Sequence, residues 1–196
     1  MLRDELKKSG LDSKTRLRVT GCHGFCEQGP LMILEPGNIF YCKVKAEDAR
    51  EIVEETVKKG RVIERLLYTD PATSEKFEKE SDIPFYKAQD RRLLGMNKLV
   101  DPCSIDDYIA IGGYSSFVSA LDRYGPAEVI EEVRVAGLRG RGGGGFPTAK
   151  KWLECSSAPG DEKYVVCNAD EGDPGAYMDR SLLEGNPHLI LEGMLI

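Results

Sequence analysis

Three groups of residues in this sequence have types and spacings that could do chemistry. Cys22-His23-Gly24-Phe25-Cys26 sets two thiols four residues apart on a loop that carries a glycine. Thiolates so spaced can point at one soft metal centre, and the glycine lets backbone N–H groups approach the sulfurs. The pair is half of a four-thiolate cluster site, and it is also what two buried thiols at a turn look like. Zinc held by Cys22, His23, Cys26 and Cys42 is a third alternative, although Cys42 falls within a candidate strand, where the pleat dictates its direction. Cys103, Cys155 and Cys167 stand alone and read as small core or surface residues.

The second group is Leu138-Arg139-Gly140-Arg141-Gly142-Gly143-Gly144-Gly145-Phe146-Pro147-Thr148. Consecutive glycines accept positive φ, so their N–H groups can curl into a concave nest for an anion. Pro147 and Thr148 open a helix whose N-terminus adds positive potential, and Arg141 with Lys150 or Lys151 adds full charges. Gly140-x-Gly142-x-x-Gly145 matches the dinucleotide fingerprint in letters but follows a helix, where that fingerprint follows a strand. A P-loop is excluded because Phe146-Pro147-Thr148 replaces its closing Gly-Lys-Ser/Thr. The flanking arginines and the Phe-Pro pair argue against a flexible linker, since linkers carry Ser rather than Arg. The stretch reads as a phosphate cradle.

The third group is Asn168-Ala169-Asp170-Glu171-Gly172-Asp173-Pro174-Gly175. Three carboxylates and an amide follow a candidate strand, Tyr164–Cys167, and so lie where α/β folds place ligands. They could accept ribose hydroxyls, hold a hydrated cation or contact the N–H groups of a heterocycle. A solvated acidic turn would use the same residue types. With a glycine loop about 20 residues upstream, a nucleotide-type site is the better account.

The elements that must position these groups follow from periodicity. Leu2 to Lys8 reads as a helix stopped at Gly10, and Arg16–Val19 as a half-buried strand. Leu31–Leu34 and Ile39–Cys42 form a hairpin about Pro36-Gly37-Asn38, and Ala46–Lys59 is a helix ended by Gly60. Thr69 to about Lys98 is charged and punctuated by prolines, which predicts a linker lying over a surface. Ser104 caps a helix, and further helices cover Tyr114–Tyr124, Pro126–Val135, Thr148–Cys155 and His188–Ile196. The patterns at both ends read as interrupted, so the expectation is a chain cut from a longer one.

Composition narrows the class. Of 196 residues, 41% are hydrophobic and 31% charged, which fits a soluble globular protein and excludes a disordered tail. No apolar run approaches the ~20 residues of a membrane span, and no signal-peptide pattern opens the chain. A net charge of −6 argues against nucleic acid as the main partner. Six cysteines with no export signal point to the reducing cytoplasm.

Taken together, Gly140-Arg-Gly-Gly-Gly-Gly-Phe-Pro-Thr-Ala-Lys-Lys-Trp152, Asn168-Ala-Asp-Glu-Gly-Asp-Pro-Gly175 and Asp179-Arg180 resemble the flavin-bearing, NADH-oxidising subunit of respiratory complex I. Cys22-x-x-x-Cys26-x-x-Gly-Pro30 resembles the second half of a thioredoxin-like [2Fe–2S] ferredoxin domain. That domain ahead of the flavin subunit is the arrangement of the diaphorase subunit in NAD-linked [FeFe]-hydrogenases and formate dehydrogenases.

The resemblance implies an α/β fold. Residues 1–68 would be the C-terminal part of the ferredoxin domain, 69–103 a linker, and 104–196 the N-terminal part of an FMN- and NADH-binding domain. By position, Gly140, Gly142 and Gly143, with Arg141 beside them, match the cradle around the FMN phosphate and ribityl chain. Lys151 matches a lysine that contacts FMN, and Asn168, Asp170 and Glu171 match residues that hold the isoalloxazine. Phe146 matches an aromatic that stacks on the NADH adenine, and Asp173 stands where the family commonly has Glu against the nicotinamide nucleotide. Ala149 and Glu154 replace a family glycine and a second adenine-stacking aromatic, departures that bear on NADH more than on the flavin. Cys22 and Cys26 would be two of four cluster ligands, the other pair lying upstream of Met1. A [4Fe–4S] domain would lie beyond Ile196. No residue is expected to act as a nucleophile or an obligate general base. The implied function is passage of electrons between NAD(H), FMN and iron–sulfur clusters, beside other iron–sulfur subunits and without membrane insertion. The alternative is a non-catalytic nucleotide-binding module with a structural zinc site.

Overall fold

Pro36, Gly37 and Asn38 fold the chain back on itself, with Asn38 at φ 56°. They join β1 (Met32–Leu34) to β2 (Ile39–Tyr41) in an antiparallel pair that sets Ile33 opposite Phe40. These elements belong to a computed structural model that describes residues 1–196. The chain divides into two units, Met1–Lys98 and Leu99–Ile196.

In the first unit the pleat splits the core in two, because successive side chains leave a strand on opposite faces. Ile39 and Tyr41 join Ile52, Ile63 and Leu66 on one side; Phe40 and Cys42 join Phe25, Tyr68, Ile83 and Tyr86 on the other. The Tyr41 hydroxyl lies 2.8 Å from Thr56 Oγ1 and accepts the Ile63 N–H at 2.8 Å, so the buried phenol is satisfied. Helix α1 covers Leu2–Lys8, and Gly10 follows at φ 63°. Helix α2 runs through 46–57: a 3-10 turn, one α turn, then a π-helical stretch over Ile52–Val57. The Asp48 carboxylate accepts the Lys45 N–H at its start, and Gly60 ends it at φ 67°.

Two expectations fail here. Arg16–Val19 joins no sheet, and its alternation is out of phase: Leu17 and Val19 face solvent while Arg18 is half-buried. The stretch from Thr69 is no linker up to Lys98. It forms a second hairpin, β3 (Tyr68–Thr69) with β4 (Lys76–Phe77), then a short helix α3 (Pro84–Lys87), and delivers Ile83 and Tyr86 to the aromatic core. Its prolines punctuate folded turns rather than a spacer.

The second unit is helical: α4 (Ile105–Ala110), α5 (Ser115–Arg123), α6 (Pro126–Val135), α7 (Thr148–Ser157), α8 (Met178–Gly185) and α9 (Pro187–Leu195). The two expected helix starts are present: Ser104 Oγ accepts the Asp107 N–H at 3.2 Å and Pro126 opens α6. Asn186 Oδ1 also accepts the Leu189 N–H at 3.4 Å. The candidate strand Tyr164–Cys167 is corrected. It forms no strand, and Tyr164, Val165 and Val166 are 76%, 69% and 80% exposed. Apolar β-branched residues favour a strand only where a partner strand takes up their backbone groups, and this unit contains none.

Candidate functional site

The cysteine loop sits ahead of the first hairpin. Gly24 turns it at φ 76°, and its N–H donates to Cys22 Sγ at 3.2 Å. Cys26 opens a 3-10 turn, Cys26–Gln28; its thiol is exposed and that of Cys22 half-buried. His23 is largely enclosed beside Glu80, its side chain 9% exposed. Burial holds its pKa below the ordinary histidine value, and the carboxylate pulls the other way. Cys42 does not belong to this site. It packs among Phe25, Phe40 and Tyr68, where burial pushes its thiol up to about 11, and no third donor gathers with Cys22 and Cys26. The four-ligand zinc set is therefore not assembled, and the loop itself offers two thiols.

The glycine loop is closed at its neck. Gly140 N–H donates to the Phe146 carbonyl at 2.9 Å and Thr148 N–H to the Leu138 carbonyl at 3.0 Å, with Arg139 bridged to Pro147. Arg139 reaches across to the Gly145 carbonyl at 3.0 Å, and Arg141 folds back on the Arg139 carbonyl at 3.0 Å. Between these ties, no N–H from Arg141 to Gly145 finds an acceptor within the chain. Gly143 and Gly145 have φ of 97° and 57°, and a Cβ at any position from Gly142 to Gly145 would meet nothing within 4 Å. The loop thus presents a row of backbone donors to open space, an arrangement that suits an anion. Phe146 stands at its end, with Lys150 and Lys151 Nζ at 5.5 and 5.8 Å from the ring centroid. Behind the neck lies an apolar cavity of about 690 Å³ between α6 and α7, lined by Ile130, Leu138, Ala149 and Leu153 among others.

The acidic loop is organised differently. Asn168 Oδ1 accepts the Asp170 N–H at 3.0 Å, a local turn that leaves both residues exposed. Glu171, at φ 47°, is turned inward. Its carboxylate accepts the Asp179 and Arg180 N–H groups at 2.8 and 3.1 Å and so caps α8. Asp173 is exposed. No hydrogen bond or ion pair links this loop to the glycine loop, so the chain brings Gly140–Lys151 together as one group and Asn168–Asp173 as another.

Sequence reasoning missed a buried polar centre on α4, α5 and α9. The Glu192 carboxylate accepts the Tyr108 hydroxyl and the N–H groups of Tyr114, Ser116 and Phe117, the last three at 2.8 to 3.1 Å. Burial alone would raise its pKa, but these donors outweigh it and hold the group below the ordinary glutamate value. The Tyr114 hydroxyl meets His188 Nδ1 at 2.8 Å, and Gly113 lies so close to Tyr108 that a Cβ would fall 2.1 Å from the ring. The one available signal was a lone glutamate within the apolar run Leu189–Ile196.

Residues 133–196 match the sequence profile of the Nuo51 FMN-binding domain. The chain is similar to this family over that stretch, about a third of its length. It is 55% identical over 97 residues to the NADP-reducing hydrogenase subunit HndC of Solidesulfovibrio fructosivorans, covering 50% of this chain and 19% of that protein. An NADH-quinone oxidoreductase subunit of Escherichia coli is 48% identical over 99 residues, 48% of this chain and 22% of the relative. The NAD-reducing hydrogenase HoxS subunit alpha of Cupriavidus necator aligns over both units, 30% identical across 185 residues, 90% of this chain and 27% of the relative. The chain thus spans about a fifth to a quarter of the length of these relatives. No helix is long and apolar enough to cross a membrane.

Proposed function

We propose that this protein binds FMN on the glycine loop and NAD(H) beside it, and acts as a diaphorase in an assembly of the hydrogenase, formate dehydrogenase or complex I type. The observation that carries the reading is the closed neck of the loop with its unpaired donors from Arg141 to Gly145. Gly140, Gly142 and Gly143 would hold the phosphate and ribityl chain through N–H groups, with charge from Arg141 and Lys151. Phe146 would stack on the adenine. Asn168 and Asp170 are free to meet the isoalloxazine, and Asp173 the nicotinamide nucleotide, while Glu171 would contribute by ordering their turn. FMN, when bound, supplies the exchange of a hydride for single electrons; the chain supplies binding, orientation and shielding.

In this reading the first unit is the C-terminal part of a thioredoxin-like ferredoxin domain. Cys22 and Cys26 supply half of a [2Fe–2S] ligand set, and a [4Fe–4S] cluster belongs elsewhere in the assembly. The alignment of both units with the HoxS alpha subunit supports that placement. Six cysteines, none in a disulfide, suit a reducing, cytoplasmic setting.

The test is flavin content per purified full-length protein, with circular dichroism to confirm folding. Gly143→Val should abolish FMN binding, because φ 97° strains any branched residue and the new side chain would occupy the open face. Lys151→Ala should only weaken it, since one of several attractive groups is lost. A folded Gly143→Val protein with stoichiometric FMN would reduce the loop to a connector.

A further inference from the structure

The charged stretch that follows the second hairpin grips the cysteine loop residue by residue. Asn97, fully buried, donates from Nδ2 to the Cys22 carbonyl at 3.3 Å. Arg91 donates from Nη2 to the His23 carbonyl at 2.6 Å. Leu94 Cδ1 lies 3.8 Å from where a Cβ on Gly24 would stand. The Phe25 ring stacks on Phe85 at 4.4 Å and meets Tyr86 edge-on at 5.3 Å. Cys22, His23 and Phe25 are thus each held by a residue between 85 and 97, with Leu94 close beside Gly24.

The grip is itself anchored. Arg91 is only 14% exposed; its Nη1 donates to Glu80 Oε1 at 2.9 Å, and its guanidinium carbon lies 4.8 Å from the Tyr86 ring centroid. The buried Glu80 carboxylate also takes Lys98 on its second oxygen and has His23 Nδ1 at 3.8 Å. A buried carboxylate with one cation is costly unless its remaining lone pairs are satisfied; here two cations meet it, 11 and 18 residues along the chain.

We propose that residues 80–98 are a latch that fixes the direction of the Cys22 thiol, with Arg91 as its central positioning residue and Asn97 as the second tie. The fork of the guanidinium matters, because one arm meets the carboxylate while the other meets the loop carbonyl, and an ammonium offers no such planar pair. The purpose of the latch rests on the reading of Cys22 and Cys26 as cluster ligands, whose orientation is set by the groups around them. Its existence does not.

The six thiols of the chain provide the assay: alkylation by iodoacetamide under reducing conditions, mapped by mass spectrometry. Exposed Cys103 is the internal rate standard and core-buried Cys42 the reporter of general loosening. Arg91→Ala should speed Cys22 relative to Cys103 by roughly tenfold, the order expected for loss of a hydrogen bond from a charged donor. Asn97→Ala, which changes no charge, should speed Cys22 severalfold, and Arg91→Lys should leave most of the Arg91→Ala effect in place. The latch is overturned if Arg91→Ala leaves the Cys22 rate unchanged, if Cys42 becomes reactive in step with Cys22, or if Arg91→Lys restores the original rate. The cluster reading fails on a different measurement: in the full-length protein, a Cys22→Ser, Cys26→Ser double variant that keeps its full [2Fe–2S] EPR signal.

Discussion

The two units solve the same problem with different materials. The first buries aromatic and aliphatic side chains on both faces of a hairpin, so that Phe40, Tyr41, Ile52 and Ile83 are completely or almost completely enclosed. The second gathers no such cluster. Its buried side chains include Asp107, Ser181, Asn186 and Glu192, and its helices leave Val118, Leu121, Val135 and Leu153 in solvent. One unit is held chiefly by apolar burial, the other largely by helix caps and one carboxylate. The difference teaches where function can sit. The cysteine loop is gripped by a packed frame, whereas the glycine loop stands open, its N–H groups from Arg141 to Gly145 unpaired within the chain.

The comparison breaks first if the aromatic core is dispensable. Phe40→Ala removes a fully buried ring from the cluster that holds Phe25, directly behind the cysteine loop. The expected loss is ~3–5 kcal/mol, as for buried aromatic truncations generally. Denaturant melts, with hydrogen exchange read across β1 and β2, would measure it. A loss below about 1 kcal/mol, the size of an ordinary substitution, would show that the hairpin core is not what holds this unit.

The polar counterpart is Glu192. Glu192→Gln keeps the shape but gives up the charge that four donors converge upon, with an expected cost of ~1.5–3 kcal/mol for hydrogen bonds to an ionised group. The pH dependence has a definite sign. Because the folded carboxylate titrates below its ordinary 4.5, its contribution is complete above that pH and is lost as the pH falls through the lowered value. Trp152, the only tryptophan, lies in this unit and reports it by fluorescence. An acid transition in Trp152 emission that persists unchanged in Glu192→Gln would remove the carboxylate from its central place.

The cysteine pair gives a compositional test of the first unit. Anaerobic reconstitution of the 196-residue chain should yield substoichiometric iron or a bridged dimer, because a four-thiolate site has two ligands on the loop. A monomer with a full two-iron signal would require other thiols, and Cys42 would have to leave the core to serve.

At the open loop the effects are smaller. Phe146→Ala should raise the KM for NADH by the equivalent of about 1–2 kcal/mol, in the range of an aromatic–base stack, while flavin content stays constant. Lys150 and Lys151 already lie over the ring, so it is placed to meet a charged ligand. Loss of FMN instead would make Phe146 a packing residue for the neck.

Much of this was legible in the residues, and the exceptions share a cause. The hairpin could be read because Pro36-Gly37-Asn38 is local turn chemistry, and the helix caps because Ser104 and Pro126 act on their neighbours. The cradle could be read because consecutive glycines restrict what else a backbone can do. What could not be read depends on pairs distant in sequence. Glu80, Arg91 and Lys98 look like surface charges until they meet beneath the cysteine loop, and Glu192 reaches donors 75 to 84 residues away. Tyr164–Cys167 failed for the same reason in reverse, as a local strand pattern with no strand to pair with.

The finest test of the comparison uses the apolar residues that the second unit leaves outside. Leu121 on α5 is 71% exposed, so truncating it removes little surface from solvent-shielded contact. If caps and Glu192 rather than apolar burial hold α5, Leu121→Ser should change stability by no more than about 0.5 kcal/mol, and the lower helix propensity of Ser already accounts for much of that. The same substitution at Ile52, fully buried on α2, should cost several times more. Parallel denaturant melts of the two variants make the contrast, with Trp152 emission reporting Leu121→Ser. A loss at Leu121 as large as at Ile52 would mean that α5 is covered by apolar contacts in solution, and the division between the two units would fail at that helix.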